Sequence, residues 1–113
     1  MTSVAATDEF TDWLTTLPNA QQRAVARYVG LLQQFGVTLG HPYSSALKGS
    51  RLPLRELRVR HTSSAIRVLY LFDPERSAIL LIGGDKSNDK RFYERLIAKA
   101  EDIYQRHLAV TEE

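Results

Sequence analysis

The sequence predicts an α+β domain in the order α-α-β-β-β-α, with an antiparallel sheet of three strands, or four, packed against helices. Three observations lead there. Two apolar stripes at helical spacing fill the first third of the chain, three strand-like runs joined by short polar turns fill the middle, and a third helical stripe follows a glycine pair. Thr7 or Asp8 caps the first helix, where Phe10, Trp13, Leu14 and Leu17 recur at i, i+3, i+4, i+7, and Pro18 ends it. Asn19 caps the second, whose stripe of Ala24, Val25, Tyr28, Leu31, Leu32 and Phe35 closes at Gly36. From Gly36 to Pro53 the residues Gly40, Pro42, Ser44, Ser45, Gly49 and Pro53 break any period, so this stretch reads as a long loop with Ala46 and Leu47 packing inward.

The strands are Leu54 to His61, Ala65 to Asp73 and Ser77 to Gly83, separated by Thr62-Ser63-Ser64 and Pro74-Glu75-Arg76; such short turns imply a meander. The run from Ala78 to Ile82 is continuously apolar, as a strand covered on both faces requires. Gly83 and Gly84 then break the strand, Ser87 or Asn88 caps the last helix, and Phe92, Leu96, Ile97, Ala100, Ile103 and Tyr104 form its buried stripe. Residues 1–113 read as one domain, with fraying expected before Thr7 and after His107.

Composition narrows the function classes. With 43% hydrophobic and 25% charged residues, the chain is excluded from the disordered and fibrous classes. No run approaches the ~18 apolar residues of a membrane span, and acids stand where a signal peptide carries bases, so a cytoplasmic location without membrane partners is expected. The absence of cysteine removes disulfides, thiolate metal sites and cysteine nucleophiles, and His41, His61 and His107 lack ligand spacing, so neither metal nor cofactor is expected. No Gly-x-Ser-x-Gly elbow and no helix with paired histidines is present, which sets aside protease and esterase chemistry.

The net charge of +2 conceals a segregation. Residues from Met1 to Leu47 are net −1, those from Lys48 to Lys99 carry 12 bases against 6 acids, and the tail from Ala100 is net −3. The densest part, Lys48, Arg51, Arg55, Arg58, Arg60 and Arg67, faces one acid, Glu56. A solvated, ion-paired face explains such a patch, and so does a site for a polyanion; the dominance of arginine, whose planar fork suits phosphate, tips the balance to the second.

Strand parity decides whether these cations meet. A two-residue loop at Ser63-Ser64 sets Arg60 opposite Arg67 and Arg58 opposite Leu69, leaving Glu56, Arg58, Arg60 and Arg67 on one face and Leu57, Val59, Ile66, Val68 and Tyr70 on the other. Arg67 interrupts an otherwise apolar strand, a costly place for a cation unless it pairs with Glu56 or another acid, or is kept there for an anionic ligand. A second, weaker signal is Gly83-Gly84-Asp85-Lys86 ahead of a helix N-terminus, where free amides and Lys86 suit a phosphate, although the P-loop spacing is absent.

Leu54-Arg55-Glu56-Leu57-Arg58, Ile66-Arg67-Val68-Leu69-Tyr70, and Ile79-Leu80-Leu81-Ile82-Gly83-Gly84-Asp85-Lys86 followed by Lys90-Arg91-Phe92-Tyr93 resemble the RelE/ParE toxin superfamily, in particular its HigB-like, phage-derived branch. The likeness covers about Leu47 to His107. It implies a toxin of a type II toxin–antitoxin system that cuts messenger RNA on the ribosome and is neutralised by an acidic antitoxin, a helix-turn-helix DNA-binding protein. The family's mid-strand arginine falls on Arg67, its basic residue after the last strand on Lys86, and its Glu-Leu-Arg strand on Glu56 to Arg58. Two departures stand out: Met1 to Ala6 is a poor candidate for the short first strand of RelE-type toxins, and Gly83-Gly84-Asp85-Lys86 replaces the usual Phe-x-Lys-Lys.

Metal-free cleavage by a 2′-hydroxyl requires stabilisation of a dianionic phosphorane and proton transfer. The resemblance assigns the scissile phosphate to Arg67 and Lys86, and leaves proton transfer among His61, Tyr93 and Lys86. Arg58, Arg60, Lys48, Arg51, Lys90 and Arg91 are the expected contacts to RNA backbone. The alternatives are a ParE-like DNA gyrase poison without nuclease activity and a catalytically inactive phage-derived RNA-binding module.

Overall fold

Thr7 starts the first helix by a side-chain cap, its hydroxyl accepting from the amide of Phe10 at 3.1 Å, and the computed structural model describes the chain from there and around it over residues 1–111. That helix, α1 (Asp8–Thr15), buries Phe10 and leans Trp13 and Leu14 on the core. The second, α2 (Asn19–Phe35), is entered from Pro18 with no side-chain cap bond, so Asn19 is its first residue and not its cap. Gly36 ends it at φ 56, as the sequence requires, and leads into a short 3-10 turn at Gly36–Thr38. A Cβ at Gly36 would overlap the Thr2 side chain, so this glycine also makes room for the N-terminal segment to cross.

The sheet has five strands in the order β1-β5-β4-β3-β2: β1 (Val4–Ala6), β2 (Ser44–Ala46), β3 (Arg55–His61), β4 (Ser64–Phe72) and β5 (Ala78–Asp85). The three central strands form the expected antiparallel meander. Both edges correct the sequence reading. Residues before Thr7 do not fray, since Val4–Ala6 pairs in parallel with Ala78, Ile79 and Leu80, and the Thr2 amide donates to Gln33. Within the stretch read as loop, Ser44–Ala46 pairs antiparallel with Leu57, Glu56 and Arg55. Strands of three residues carry too little alternation to read, and these exist because a neighbouring strand offers free backbone groups.

The hairpin between β3 and β4 turns at Thr62-Ser63, not Ser63-Ser64, so His61 pairs with Ser64 and Arg58, not Arg60, lies opposite Arg67. Ser64 is held as a strand residue by Gln21, which donates to its hydroxyl at 2.9 Å. The register therefore shifts by an even step, and every residue keeps its predicted face.

Gly83 and Gly84 do not break the last strand. They lie inside β5 opposite Val68 and Arg67. A side chain at Gly83 would collide with the Trp13 ring, and a Cβ at Gly84 would sit 2.9 Å from the Phe92 ring; their role is close approach of α1 on one face and the last helix on the other. That helix, α3 (Phe92–Thr111), continues beyond His107, and in the turn that leads into it the Asp89 carboxylate accepts from the Arg91 amide at 3.1 Å, where Ser87 or Asn88 was the expected cap. The sheet is thus covered twice. Leu57, Val59, Ile66, Val68, Tyr70 and Leu80 pack under α1 and α2, while Leu69, Leu71, Ile79 and Leu81 pack under α3. Among the described residues no helix is long and apolar enough to cross a membrane.

Candidate nucleic-acid interface

The α3 face of the sheet is apolar only as far as α3 reaches. Beyond Leu69 the same face carries Glu56, Arg58, Arg60 and Arg67, and there the helix N-terminus arrives, since Phe92 packs on Gly84, the cross-strand partner of Arg67. Arg58 and Arg67 stand directly opposite one another. Like charges in that position repel, and the Glu56 carboxylate pairs with Arg67.

Arg67 and Glu56 are both buried, with side chains 9% and 8% exposed, and Arg67 Nε lies 3.2 Å from Glu56 Oε1. The Nε–H is not aimed at that oxygen, so the contact is an ion pair without a hydrogen bond, and Nε is left without an acceptor. Arg67 Nη1 donates to the Ile66 carbonyl at 3.1 Å. Of the two explanations for a mid-strand cation, the ion pair with Glu56 is present, yet it leaves the guanidinium incompletely satisfied.

Glu56 is the hub of the cluster. Its Oε1 accepts from the Tyr93 hydroxyl at 2.6 Å, and its Oε2 accepts from the Ser45 hydroxyl at 3.2 Å. Tyr93 comes from the first turn of α3, half-buried, with the Lys86 ammonium 5.4 Å above its ring centre. Burial, and then the Glu56 carboxylate that accepts its proton, push the Tyr93 phenol above its ordinary value, while Arg67 works the other way. Near neutrality Tyr93 is therefore a hydrogen-bond donor.

Arg67, Arg58, Lys86 and Tyr93 are brought together; other sequence-predicted residues are not. His61 has the parity of Leu57 and Val59 and so belongs to the face covered by α1 and α2, away from Arg67. Arg60 is exposed on the Arg67 face two residues further along β3, and Lys90 and Arg91 are exposed on the turn entering α3, so all three flank the cluster. Lys48 and Arg51 lie on the loop after β2. There Glu101 of α3 accepts from the Ser50 hydroxyl and the Arg51 amide and pairs with the Arg51 guanidinium at 3.4 Å. Arg51 is thereby engaged, while Lys48 stays exposed.

Of the amides beside Lys86, its own and that of Ser87 are already satisfied. Asp85 Oδ1 accepts from the amides of Ala65 at 3.2 Å and Ser87 at 2.9 Å, and the Lys86 amide donates to the Ala65 carbonyl. Burial raises the Asp85 carboxyl, but the bonds from Ser87 and Ala65, together with the Arg67 charge, outweigh it and hold the group below its ordinary value. The chain thus places its own carboxylate where the sequence suggested a phosphate. Conversely, sequence reasoning treated Glu56 only as a salt-bridge partner and missed Ser45. The cross-strand step from Ser45 to Glu56 has no signal in a stretch without periodicity. Among the described residues no group of three or more His, Cys, Asp or Glu side chains could hold a metal.

Comparison with known proteins gives the chain a family and a fold likeness. The sequence matches the family described as Phage derived protein Gp49-like over residues 12–105. It is 39% identical over 99 residues to putative toxin HigB3 of Mycobacterium tuberculosis, covering 86% of this chain and 85% of that one. Putative toxin HigB2 of the same organism is 31% identical over 112 residues, 96% of this chain but 56% of HigB2, so the chain spans about half that relative's length. In fold it resembles a chain of an archaeal RelE-RelB complex from Pyrococcus horikoshii (TM-score 0.60, 19% identity, 77% of this chain and 97% of the other). A similar match is found to the toxin-antitoxin complex RelBE2 from Mycobacterium tuberculosis (TM-score 0.59, 22% identity, 74% and 96%). The matched span and the identity to HigB3 together establish that this chain belongs to the Phage derived protein Gp49-like family, with putative HigB toxins among its relatives.

Proposed function

We propose that this chain is the toxin of a toxin–antitoxin pair and acts in the cytoplasm as a metal-independent endoribonuclease on messenger RNA at the ribosome. The observation that carries the reading is the direct opposition of Arg58 and Arg67, with the Glu56 carboxylate against Arg67, beside Lys86 and the exposed Arg60, Lys90 and Arg91. A fold keeps such a repulsive pair where a polyanion relieves it. Its natural partner is an acidic antitoxin of the helix-turn-helix type, which covers the same cations.

The chemistry follows from the contacts. The 2′-oxygen of the substrate attacks the adjacent phosphorus and loses its proton to the Tyr93 oxygen, as Tyr93 passes its own proton along the 2.6 Å bond to Glu56. Glu56, once neutral, no longer competes for Arg67. The guanidinium's charge is then released toward the phosphorane as negative charge develops there, with Arg58 beside it. The bond to the 5′-oxygen breaks, and Lys86 supplies the proton that oxygen needs, leaving a 2′,3′-cyclic phosphate and a 5′-hydroxyl. This scheme does not use His61, which by strand alternation belongs to the other face.

The test is induction in a bacterial host of the wild type and of Arg67→Ala with Lys86→Ala, scoring growth and mapping messenger-RNA 5′ ends. Growth arrest with new in-frame cuts, lost in the double variant, supports the proposal. Arrest without cuts moves the target to gyrase or elsewhere, and RNA binding without arrest or cuts leaves an inactive binding module.

A further inference from the structure

The two serines of β2 divide their work between the faces of the sheet. Ser44 is fully buried, and its hydroxyl shares a 2.6 Å hydrogen bond with the Tyr70 hydroxyl inside the α2-side core. Ser45, next in sequence, points to the other face by strand alternation and donates at 3.2 Å to Glu56 Oε2, on the residue directly opposite it in the register. This strand has three residues and lies at the outer edge of the sheet, yet it delivers one hydroxyl to the core and the next to the Arg67 cluster.

The consequence for Glu56 is geometric. Its Oε1 has two clients, the Tyr93 hydroxyl at 2.6 Å and Arg67 Nε at 3.2 Å, whereas for Oε2 the recorded side-chain donor is Ser45. The last torsion of a glutamate is broad and nearly two-fold, so a carboxylate held at one oxygen alone rotates and presents either oxygen in varying directions. A donor on the second oxygen removes that freedom. We infer that Ser45 is a positioning residue for the proposed cleavage, holding the Glu56 carboxylate so that one oxygen stays hydrogen-bonded to Tyr93 and within ion-pair distance of Arg67; this rests on the endoribonuclease reading above. The Ser45 hydroxyl is bonded to Glu56 Oε2, and the residue acts through that carboxylate.

The adjacent serine supplies a control that a merely structural explanation would not survive. Ser45→Ala, Ser44→Ala and Ser45→Thr are made in the full chain and assayed with programmed ribosomes. For each, kcat and KM are measured alongside the melting temperature and the 15N–1H signal of Arg67 Nε. Loss of one hydrogen bond to a charged group predicts that Ser45→Ala lowers kcat about tenfold with KM unchanged. Its Arg67 signal should move, and its melting temperature should fall by no more than that of Ser44→Ala. Ser45→Thr keeps the hydroxyl and should restore kcat to within about twofold. Ser44→Ala should do the reverse, lowering the melting temperature while leaving kcat and the Arg67 signal in place. Wild-type kcat or an unmoved Arg67 signal in Ser45→Ala overturns the inference, as does a Ser44→Ala variant that loses kcat in proportion to stability. If the wild type cuts nothing, it is the endoribonuclease reading that fails, and the Arg67 signal alone then decides whether Ser45 positions the pair.

Discussion

Replacing Glu56 with glutamine isolates the energetic peculiarity of the cluster. The amide keeps an acceptor for Tyr93 and nearly the same shape, but leaves Arg67, with its side chain 9% exposed, without its counter-charge and still facing Arg58. At 3.2 Å the attraction between the two charges is about 5 kcal/mol with an effective dielectric near 20. Desolvation of both ions cancels much of that in the wild type, yet removing one partner strands the other, at a cost of about 3–5 kcal/mol. Against a total stability of roughly 5–15 kcal/mol for a domain of this size, the loss is large. Urea denaturation at pH 7 should therefore show a much lower midpoint for Glu56→Gln with an unchanged slope. Inorganic phosphate or a short RNA should return more stability to the variant than to the wild type, because the unpaired guanidiniums bind the anion in the folded state alone. The paired change Glu56→Leu with Arg67→Met should regain most of the lost stability while remaining inert toward RNA. A Glu56→Gln variant within about 0.5 kcal/mol of wild type and indifferent to phosphate would refute the reasoning.

Three further outcomes are expected. Tyr93→Phe should lower the cleavage rate by at least about a hundredfold and stability by about 1–3 kcal/mol, because Glu56 Oε1 loses its donor at 2.6 Å; an unaltered rate measured in single-turnover assays excludes Tyr93 from proton transfer. Gly83→Ala should destabilise by about 1–3 kcal/mol through collision with Trp13, with relief in the Trp13→Leu background, measured by thermal melting; equal losses in both backgrounds contradict the packing account. Asp85 has a carboxyl lowered in the folded state, so its stabilisation is complete above its ordinary value of 3.8 and is lost as pH falls through the folded value. Asp85→Asn should therefore flatten the acid limb of a stability–pH curve, and an identical limb in both proteins argues against the role assigned to its bonds with Ala65 and Ser87.

The parts of the fold that were legible in the sequence were those with a period. Phe10, Val25 and Ile97 announced helices, and the alternation from Leu57 to Val68 announced strands whose faces survived a two-residue change of register. What was illegible depends on partners distant in the chain. Val4–Ala6 becomes a strand because β5 offers a free edge, and Gly83 and Gly84 look like a turn until Trp13 and Phe92 are seen pressed against them. The site divides in the same way. Arg67 was conspicuous as a cation in an apolar strand, and its likeness to the family's arginine sharpened it. Tyr93 could be named by resemblance, but that its proton rests on Glu56, and that Ser45 holds the other oxygen, required three elements in register. The parity of His61 with Leu57 and Val59 sets it on the face opposite Arg67, which the hairpin register and not its residue type decides.

The central claim is tested most directly by incubating the purified chain with messenger RNA in the presence and absence of programmed ribosomes, and mapping and chemically identifying the new ends. The account predicts cuts that require the ribosome, persist in a metal chelator, leave 2′,3′-cyclic phosphate and 5′-hydroxyl ends, and vanish in a folded Tyr93→Phe or Arg67→Ala, Lys86→Ala protein. Intact messenger RNA under these conditions, with a wild type that still arrests growth, would contradict it.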